Sequence, residues 1–335
     1  QETATAVSIV FDVPENLKAN FSFKAGQYTT LQTNINGKEV RRAYSICAAP
    51  KSGELKVAIK AVENGTFSVY ATSQLKVGDV VEVHEPEGKF ILAPAKSKNY
   101  LGFAAGSGIT PVLSMVKAVL QEEPTSSFTL IYGNKSEEET IFKSELEVLS
   151  EEYSSRFNLH YIFSKQNVDG SLFGRIDAAY TNYYVKNIYK NWTFETAFLC
   201  GPEEMIKTVS GTLKENRFKE SQILFELFTA SIDEESVSQI KDGETEVTVL
   251  LDDEEFSFTM KQTSDILAAA LRNDIDAPYS CQGGVCSSCL GKVTEGNAIM
   301  TKNSILTDAE VKDGFILTCQ AHPTTSKISI DYDDV

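Results

Sequence analysis

The segment Cys281-Gln-Gly-Gly-Val-Cys286-Ser-Ser-Cys289 puts three cysteines on one short stretch, and a fourth, Cys319, follows on a separate predicted strand. Four thiolates are the ligands that hold two irons and two sulfides, and C-x4-C-x2-C with one distant cysteine is a spacing of 2Fe–2S centres. The two glycines after the first cysteine let backbone N–H groups turn toward the sulfurs without a Cβ clash. The segment therefore predicts a 2Fe–2S cluster held by all four cysteines.

A structural zinc site and a set of disulfides are the alternatives for these cysteines. Zinc sites usually pair two short hooks of the C-x2–4-C or H-x3–5-H type, whereas this chain has one uneven triple and one single cysteine. Disulfides are typical of small secreted domains. The N-terminal stretch from Gln1 to Leu17 has no basic start and no apolar signal core. We therefore expect no export signal, a cytoplasmic location and thiols that bind metal.

Composition excludes two classes of function. The net charge of −16 disfavours a nucleic-acid partner, because phosphate binding needs a basic surface. The chain has no run of 18 apolar residues, so we expect no membrane insertion. Residues 244–335 carry 16 acidic against 6 basic side chains, a net charge of −10. This excess indicates either simple solubility or a docking face for a basic partner, and both interpretations remain open.

The pattern of apolar residues along the 335-residue chain predicts several domains. Residues 1–95 alternate apolar and polar side chains in short runs between turn signals, which predicts an antiparallel β-barrel. Residues 96–228 alternate strands with helices, which predicts an α/β Rossmann-like domain with a parallel sheet. Residues 229–243 are polar and aperiodic, as in a linker. Residues 244–335 hold strands, a short helix and the cysteine loop, which predicts an α+β domain.

Two short motifs in the predicted barrel have the chemistry of a flavin site. Arg42-Ala43-Tyr44-Ser45 lies on a strand after the Asn36-Gly37 turn. An arginine fork can clamp a diphosphate, a tyrosine can stack on a ring, and a serine hydroxyl can reach a ring nitrogen. Gly65-Thr66-Phe67-Ser68 precedes a helical stretch, whose first N–H groups can bind an anion. Each motif taken alone is more typical of a surface strand or of an ordinary serine helix cap.

Two glycine-containing turns in the predicted α/β domain favour a nucleotide site. Gly106-Ser107-Gly108-Ile109-Thr110-Pro111 follows a strand and opens a helix, where proline suits the first turn. Cys200-Gly201-Pro202 also joins a strand to a helix. Neither is the G-x-G-x-x-G fingerprint of dehydrogenases. For Cys200, a role as a small buried filler residue is the alternative.

Taken together, R-x-Y-S, G-x-x-S, G-x-G-I-T-P and C-G-P resemble the motifs of the ferredoxin–NADP reductase superfamily. The resemblance implies that FAD, in preference to FMN, is bound by Arg42, Ala43, Tyr44, Ser45, Ile59, Lys60, Gly65, Thr66, Phe67 and Ser68. It implies that Arg42 and Ser68 contact the pyrophosphate, that Tyr44 packs on the isoalloxazine, and that Ser45 approaches its hydride-accepting nitrogen. Ile59 and Lys60 would line the ring.

The same resemblance assigns the nicotinamide site and two catalytic residues. It implies that the nicotinamide cofactor is bound by Gly106, Gly108, Thr110, Pro111, Cys200, Gly201 and Pro202. Ser45 and Cys200 are the predicted catalytic residues, and Cys200 would shape the hydride-transfer pocket without acting as a nucleophile.

The choice between NADPH and NADH depends on the end of one predicted strand. Ser164 and Lys165 follow it, and Arg175 comes ten residues after Lys165. A hydroxyl with cations there suits the 2′-phosphate of NADP. Lysine lacks the arginine fork, and a solvated basic loop is the alternative. We expect NADPH in preference to NADH.

Phe225-Glu226-Leu227-Phe228 ends the predicted α/β domain. In relatives with the same domain order, an aromatic residue here covers the second face of the flavin. The resemblance therefore implies this role for Phe228, with Glu226 as its polar neighbour, and an ordinary core strand is the alternative.

The C-terminal domain resembles plant-type ferredoxins, which have a β-grasp fold. The whole chain resembles one subgroup, the reductase subunits that serve phenylacetyl-CoA epoxidase and related enzymes, through its start at residues 2–8, Gly26-Gln27-Tyr28 and residues 41–47. Ala43 stands where serine is more usual, and Ala25-Gly26 where Pro-Gly is common. Neither change threatens a cofactor.

This resemblance implies a reductase that passes electrons from NADPH through FAD and a 2Fe–2S cluster to an oxygenase or hydroxylase component. Flavin belongs between the other two because it exchanges both hydride and single electrons. Service to another oxygenase, or as a general ferredoxin-type reductase, is the alternative within this class. A flavin-free electron carrier is the alternative outside it.

Overall fold

A computed structural model describes residues 1–93, 95–229 and 232–335 of the chain. These residues form two compact units, Gln1–Glu226 and Leu227–Val335. Within the described residues, every helix is too short or too polar to cross a bilayer.

The first part of the N-terminal unit is the predicted antiparallel barrel. Its elements are β1 Ala6–Phe11, β2 Tyr28–Ile35, β3 Lys38–Ser45, β4 Leu55–Lys60, α1 Thr66–Ser73 and β5 Glu82–Val83. Strands pair antiparallel as β1-β4 and as β3-β2-β5, and a bridge between Ile46 and Val57 connects the two sheets. The β2–β3 turn forms at Asn36 and Gly37, both at positive φ, a conformation that matches the twist of a hairpin.

The second part of this unit is the predicted α/β domain. Its elements are β6 Asn99–Ala105, α2 Ile109–Glu122, β7 Ser127–Asn134, α3 Lys143–Glu152, β8 Phe157–Phe163, β9 Leu172–Phe173, α4 Ala178–Asn182, β10 Thr196–Cys200, α5 Glu203–Glu215 and β11 Ile223–Glu226. All six strands are parallel, in the order β11-β10-β6-β7-β8-β9. The chain runs outward in both directions from β6 and β10. In such sheets, ligands bind beyond the carboxyl ends of the strands at this switch point.

Side chains of helix α2 form hydrogen bonds that connect the barrel to the α/β domain. Ser114 Oγ donates to the carbonyl of Ala48 at 2.7 Å, and Lys117 Nζ donates to the carbonyl of Cys47 at 3.0 Å. Lys117 also forms an ion pair with Glu145, which satisfies a charge that is almost fully buried. The end of β3 is thereby held close to the switch point of the parallel sheet.

The C-terminal unit has the predicted β-grasp fold. Its elements are α6 Glu234–Gln239, β12 Glu244–Leu251, β13 Glu254–Lys261, α7 Ile266–Arg272, β14 Leu290–Glu295, β15 Ala298–Met300, α8 Asp308–Lys312, β16 Phe315–Leu317, β17 Ala321–Pro323 and β18 Lys327–Asp331. The main sheet has the order β13-β12-β18-β14-β16, in which only the β12–β18 pair is parallel. Helix α7 belongs to the core beneath this sheet, where Ile266 and Leu267 pack with Val247 and Val249.

One segment is more ordered than its composition predicts. Residues 229–243 are predicted to be an irregular linker, but residues 234–239 form α6, because the Asp233 side chain accepts from the N–H of Glu235 and caps the helix. Residues 230 and 231 lie outside the described residues. The segment belongs to the C-terminal unit, and its role as a linker stays a prediction.

Candidate functional site

Three predicted site residues meet at the carboxyl ends of their strands. Ser45 ends β3, Cys200 ends β10 and Glu226 ends β11. Ser45 Oγ donates to Glu226 Oε2 at 2.9 Å, and Cys200 lies opposite Glu226 in the parallel register. Ser45 is only 4% exposed and Cys200 is fully buried. The structure therefore brings a hydroxyl, a carboxylate and a thiol together at one point.

The thiol of Cys200 is unsuited to nucleophilic attack. Burial, with a smaller contribution from the Glu226 carboxylate, raises its pKa well above the usual value. A thiol with such a pKa stays protonated at neutral pH, whereas nucleophilic cysteines need a lowered pKa. Cys200 can therefore act as a neutral wall of a pocket, as the resemblance implies.

The sequence alone did not reveal the bond between Ser45 and Glu226. The two residues are 181 positions apart, and Glu226 is predicted only as a neighbour of Phe228. Only the packing of β3 against the end of the parallel sheet brings them together.

The two predicted nucleotide turns touch each other. A Cβ on Gly108 would lie 2.2 Å from the carbonyl oxygen of Cys200, so this approach requires glycine. A Cβ on Gly201 would lie 3.0 Å from the Cβ of Ala105, which indicates a similarly close approach. Pro202 directly precedes α5, and Pro111 lies in the first turn of α2. The starts of α2 and α5 thus meet at the switch point, where their first N–H groups can bind phosphate or ribose.

A pair of glycine substitutions tests this close approach. We expect Gly108→Ala to lower the free energy of unfolding by about 1–3 kcal/mol and to weaken NADPH binding, because backbone must move to admit the methyl group. Gly211→Ala is the matched control: a Cβ there meets nothing within 4 Å, and alanine in helix α5 should stabilise by roughly 1 kcal/mol. Urea unfolding and NADP⁺ titration measure both effects. Equal stability of the two variants would contradict the packing described.

The flavin motifs of the barrel form one surface. The rings of Tyr44 and Phe67 pack with centroids 5.5 Å apart. Burial raises the pKa of the Tyr44 hydroxyl, so that group stays neutral. Ser68 Oγ accepts from the N–H of Val62 at 3.2 Å, and a Cβ on Gly65 would lie 2.3 Å from this oxygen. A hydroxyl that accepts in this way can still donate its own proton to an anion.

The remaining flavin residues lie beside these. Thr66 opens α1 directly after Gly65, and Ala43 stands between Arg42 and Tyr44 on β3. Arg42 Nη1 donates to the carbonyl of Arg41 at 2.6 Å. Ile59 is fully buried on β4, and the next residue, Lys60, is 4.0 Å from the carboxylate of Glu139. The barrel thus offers an aromatic wall and two cations, groups that can contact a flavin ring and its diphosphate.

The predicted NADPH residues lie at one edge of the parallel sheet. Ser164 and Lys165 follow β8, and Arg175 follows β9, whose Phe173 pairs with Phe163 of β8. Lys165 and Arg175 are exposed. Among the described residues, neither side chain has a hydrogen-bond or ion-pair partner, so both charges remain available to an anion.

Phe228 is 39% exposed and is part of the C-terminal unit, whereas Phe225 is 46% exposed on β11. The cover of the flavin by Phe228 stays a prediction.

The four predicted cluster ligands come together in the C-terminal unit. The thiol of Cys281 lies close to those of Cys286 and Cys319, and the thiol of Cys289 lies close to that of Cys319. The interaction with the Cys281 thiol, together with burial, raises the pKa of Cys286. All six cysteines of the chain are free thiols, so the disulfide alternative is wrong.

The surroundings of these thiols fit a 2Fe–2S cluster. The N–H of Gly283 donates to Cys281 Sγ at 3.3 Å, and the backbone of Gly284 donates to Cys319. Gly284 has a φ of +71°, and a Cβ there would lie 2.9 Å from the carbonyl oxygen of Lys302. In the described parts of the chain, no three His, Cys, Asp or Glu side chains converge on one metal position. The thiols are instead linked in a row, Cys286 to Cys281 to Cys319 to Cys289. Four thiols grouped in this way suit a centre of two irons and two sulfides held by four cysteines.

Three family models match successive parts of the chain. An oxidoreductase FAD-binding domain matches residues 4–91, an oxidoreductase NAD-binding domain residues 103–211, and a 2Fe-2S iron-sulfur cluster binding domain residues 249–324. These matches agree with the cofactors for which the barrel, the parallel sheet and the cysteine loop supply donors.

Two curated proteins and a solved structure match this chain along nearly its whole length. The chain is 38% identical to a subunit of the 1,2-phenylacetyl-CoA epoxidase of Escherichia coli (strain K12), over 99% of this chain and 95% of that protein. It is 30% identical to the ferredoxin reductase component of 3-ketosteroid-9-alpha-monooxygenase of Rhodococcus rhodochrous, over 99% and 94%. The solved structure of phthalate dioxygenase reductase has the same fold, with a TM-score of 0.66, 23% identity and coverage of 99% and 94%. The chain therefore belongs to the family of reductase components of oxygenase systems in which FAD-binding, NAD-binding and 2Fe–2S domains follow one another.

Proposed function

We propose that this chain transfers electrons from NADPH to the oxygenase component of a phenylacetyl-CoA epoxidase. The observation that supports this most is the 38% identity to a subunit of such an enzyme along nearly the whole chain. The same chain also contains side chains suited to bind all three redox groups. When bound, FAD would accept hydride from the nicotinamide and release single electrons to the 2Fe–2S cluster. We assign residues 1–95 to FAD, 96–228 to the nicotinamide cofactor and 244–335 to the cluster.

The hydride pocket owes its shape to the chain's own residues. Ser45 donates to Glu226 at 2.9 Å and is thereby held at a fixed position. We assign its hydroxyl to the hydride-accepting edge of the flavin. Cys200, neutral and buried, would form the wall against which the nicotinamide lies. The backbone of Gly108 packs directly against the carbonyl of Cys200, which fixes the position of that wall.

Cationic side chains and the N-terminal ends of helices would bind FAD and NADPH. Arg42 and Ser68 would hold the FAD pyrophosphate, and Tyr44 would support the isoalloxazine. For the nicotinamide cofactor, the starts of α2 and α5 would bind its phosphates and ribose. Lys165 and Arg175, both exposed at one sheet edge, would bind the 2′-phosphate that distinguishes NADPH from NADH.

The double variant Lys165→Gln/Arg175→Gln tests the nucleotide preference. We expect the KM for NADPH to rise about tenfold or more, because two charged contacts to phosphate are lost, and the KM for NADH to change little. Steady-state reduction of ferricyanide measures both. Lys96→Gln removes an exposed cation that precedes the amino end of the central strand β6, away from the carboxyl ends of β8 and β9, and should change neither constant. A wild-type chain that prefers NADH would refute the assignment.

Reconstitution tests the partner. We expect the purified chain, loaded with FAD and cluster, to support NADPH-dependent epoxidation of phenylacetyl-CoA by an oxygenase component of that system. Efficient support only of a different oxygenase, such as a steroid monooxygenase, would overturn the assignment of the partner and leave the reductase chemistry intact.

We also propose that the protein works in the cytoplasm, where NADPH is regenerated and thiols stay reduced.

A further inference from the structure

A cavity of about 540 Å³ lies in the α/β domain, outside the residues assigned to any redox cofactor. Three segments line it: the π-helical turn Tyr183–Ile188 with the residues after it, the stretch before β10, and the connection from α5 to β11. Its volume is in the range of sites that bind small molecules.

The cavity lies at the amino ends of strands β10 and β11, whereas the nicotinamide turns lie at the carboxyl ends of β6 and β10. Trp192, Thr193 and Phe194 come just before β10, and Phe218 and Gln222 come just before its parallel neighbour β11. The nicotinamide turns instead follow the carboxyl ends of β6 and β10. Because β10 has five residues, its amino end and its carboxyl end are roughly 15 Å apart. A ligand in the cavity would therefore not occupy the hydride pocket.

Aromatic rings form one wall of the cavity. Trp192 packs on Phe194 with centroids 6.0 Å apart, and Phe194 stacks on Phe218 at 6.4 Å. Tyr189 packs behind both Trp192 and Phe194 and is itself fixed by a 2.6 Å hydrogen bond to His160. Trp192 is 38% exposed although it belongs to this packed cluster. A rigid, partly exposed aromatic face of this kind suits a planar ring.

Three cations line the same cavity. They are Lys186, Lys190 and Arg217, all exposed. In the described part of the chain none of them has a hydrogen-bond or ion-pair partner, whereas the nearby Lys214 and Lys98 are paired with Glu220 and Glu195. The chain as a whole carries a net charge of −16. Three unpaired like charges beside one cavity repel each other, and a polyanion would relieve that repulsion.

We propose that this cavity binds a nucleoside diphosphate, with the base on the Trp192 face and the phosphates on the three cations. The planar ring accounts for the aromatic wall, and two phosphate groups carry enough charge for Lys186, Lys190 and Arg217 together. The site is separate from the proposed NADPH site and is independent of the proposed function.

Calorimetric titration of the cofactor-loaded protein with ADP tests this proposal, and the Lys165→Gln/Arg175→Gln variant, titrated in parallel, identifies any binding at the nicotinamide site. We expect one binding event per chain and quenching of Trp192, the only tryptophan of the chain. The triple variant Lys186→Gln/Lys190→Gln/Arg217→Gln should weaken ADP binding at least tenfold. The control Lys76→Gln/Lys89→Gln/Lys96→Gln removes the same charge from exposed positions elsewhere and should leave it unchanged.

A second arm separates the ring from the phosphates. Trp192→Ala should weaken ADP binding at least tenfold and leave binding of inorganic phosphate unchanged. The proposal is overturned if ADP shows no binding heat, if the control variant loses affinity as much as the triple variant, or if inorganic phosphate binds as tightly as ADP. Retained flavin and cluster absorbance shows that each variant is folded.

Discussion

Cys319→Ser is expected to lower the NADPH-dependent reduction of a one-electron acceptor, cytochrome c, by more than about 100-fold. Loss of even an outer-shell partner costs metal sites 10–100-fold, and Cys319 is a predicted ligand whose thiol lies close to those of both Cys281 and Cys289. Direct reduction of ferricyanide by the flavin should persist, because the barrel and α/β domain form a compact unit without residues 227–335. Stopped-flow absorbance and iron analysis measure the loss of the cluster.

Cys47→Ser is the matched control for this result. Cys47 is fully buried in the barrel, where its thiol donates to the carbonyl of Lys56 at 3.3 Å, and a serine hydroxyl can make the same bond. This variant should retain the iron content and the cytochrome c activity. Full cytochrome c activity in Cys319→Ser would contradict the route through the cluster. Equal loss of iron in both variants would show that the cluster depends on folding and not on that ligand.

Ser45→Ala is expected to slow flavin reduction by NADPH by about 100-fold, because the hydroxyl that we assign to the flavin edge is lost and removal of one hydrogen-bonding side chain from a reacting centre has a cost of this order. The substitution also leaves the Glu226 carboxylate without the hydroxyl that it binds at 2.9 Å. The flavin itself should stay bound, since the contacts assigned to Arg42, Tyr44 and Ser68 are untouched. Single-turnover reduction followed at the flavin absorbance separates the rate from cofactor loss.

A serine elsewhere in the barrel supplies the comparison. Ser22 is exposed, and its hydroxyl donates to the carbonyl of Ala19 within a turn. Ser22→Ala should reduce its flavin at the wild-type rate. An unchanged rate in Ser45→Ala would remove Ser45 from the hydride pocket and would leave the family assignment standing.

Local sequence was enough to predict most of the elements that carry the site. The Asn36-Gly37 hairpin formed as predicted because its positive φ angles are a property of two adjacent residues. The helix after Gly108 formed for the same kind of reason, since Pro111 suits a first helical turn. Helix α6 was missed, because a six-residue helix with one aspartate cap has too few apolar positions to show a period.

The sequence by itself determined the chemistry: four cysteines at cluster spacing, an R-x-Y-S strand and two glycine turns, all of which are short-range patterns. Tertiary structure decided which groups meet. It brings Ser45 within hydrogen-bond distance of Glu226, although the two are 181 positions apart. It also packs Gly108 against the carbonyl of Cys200 and places three unpaired cations beside Trp192. The physical reason is that motifs depend on neighbouring residues, whereas such contacts depend on sheet order and packing, which no local pattern encodes.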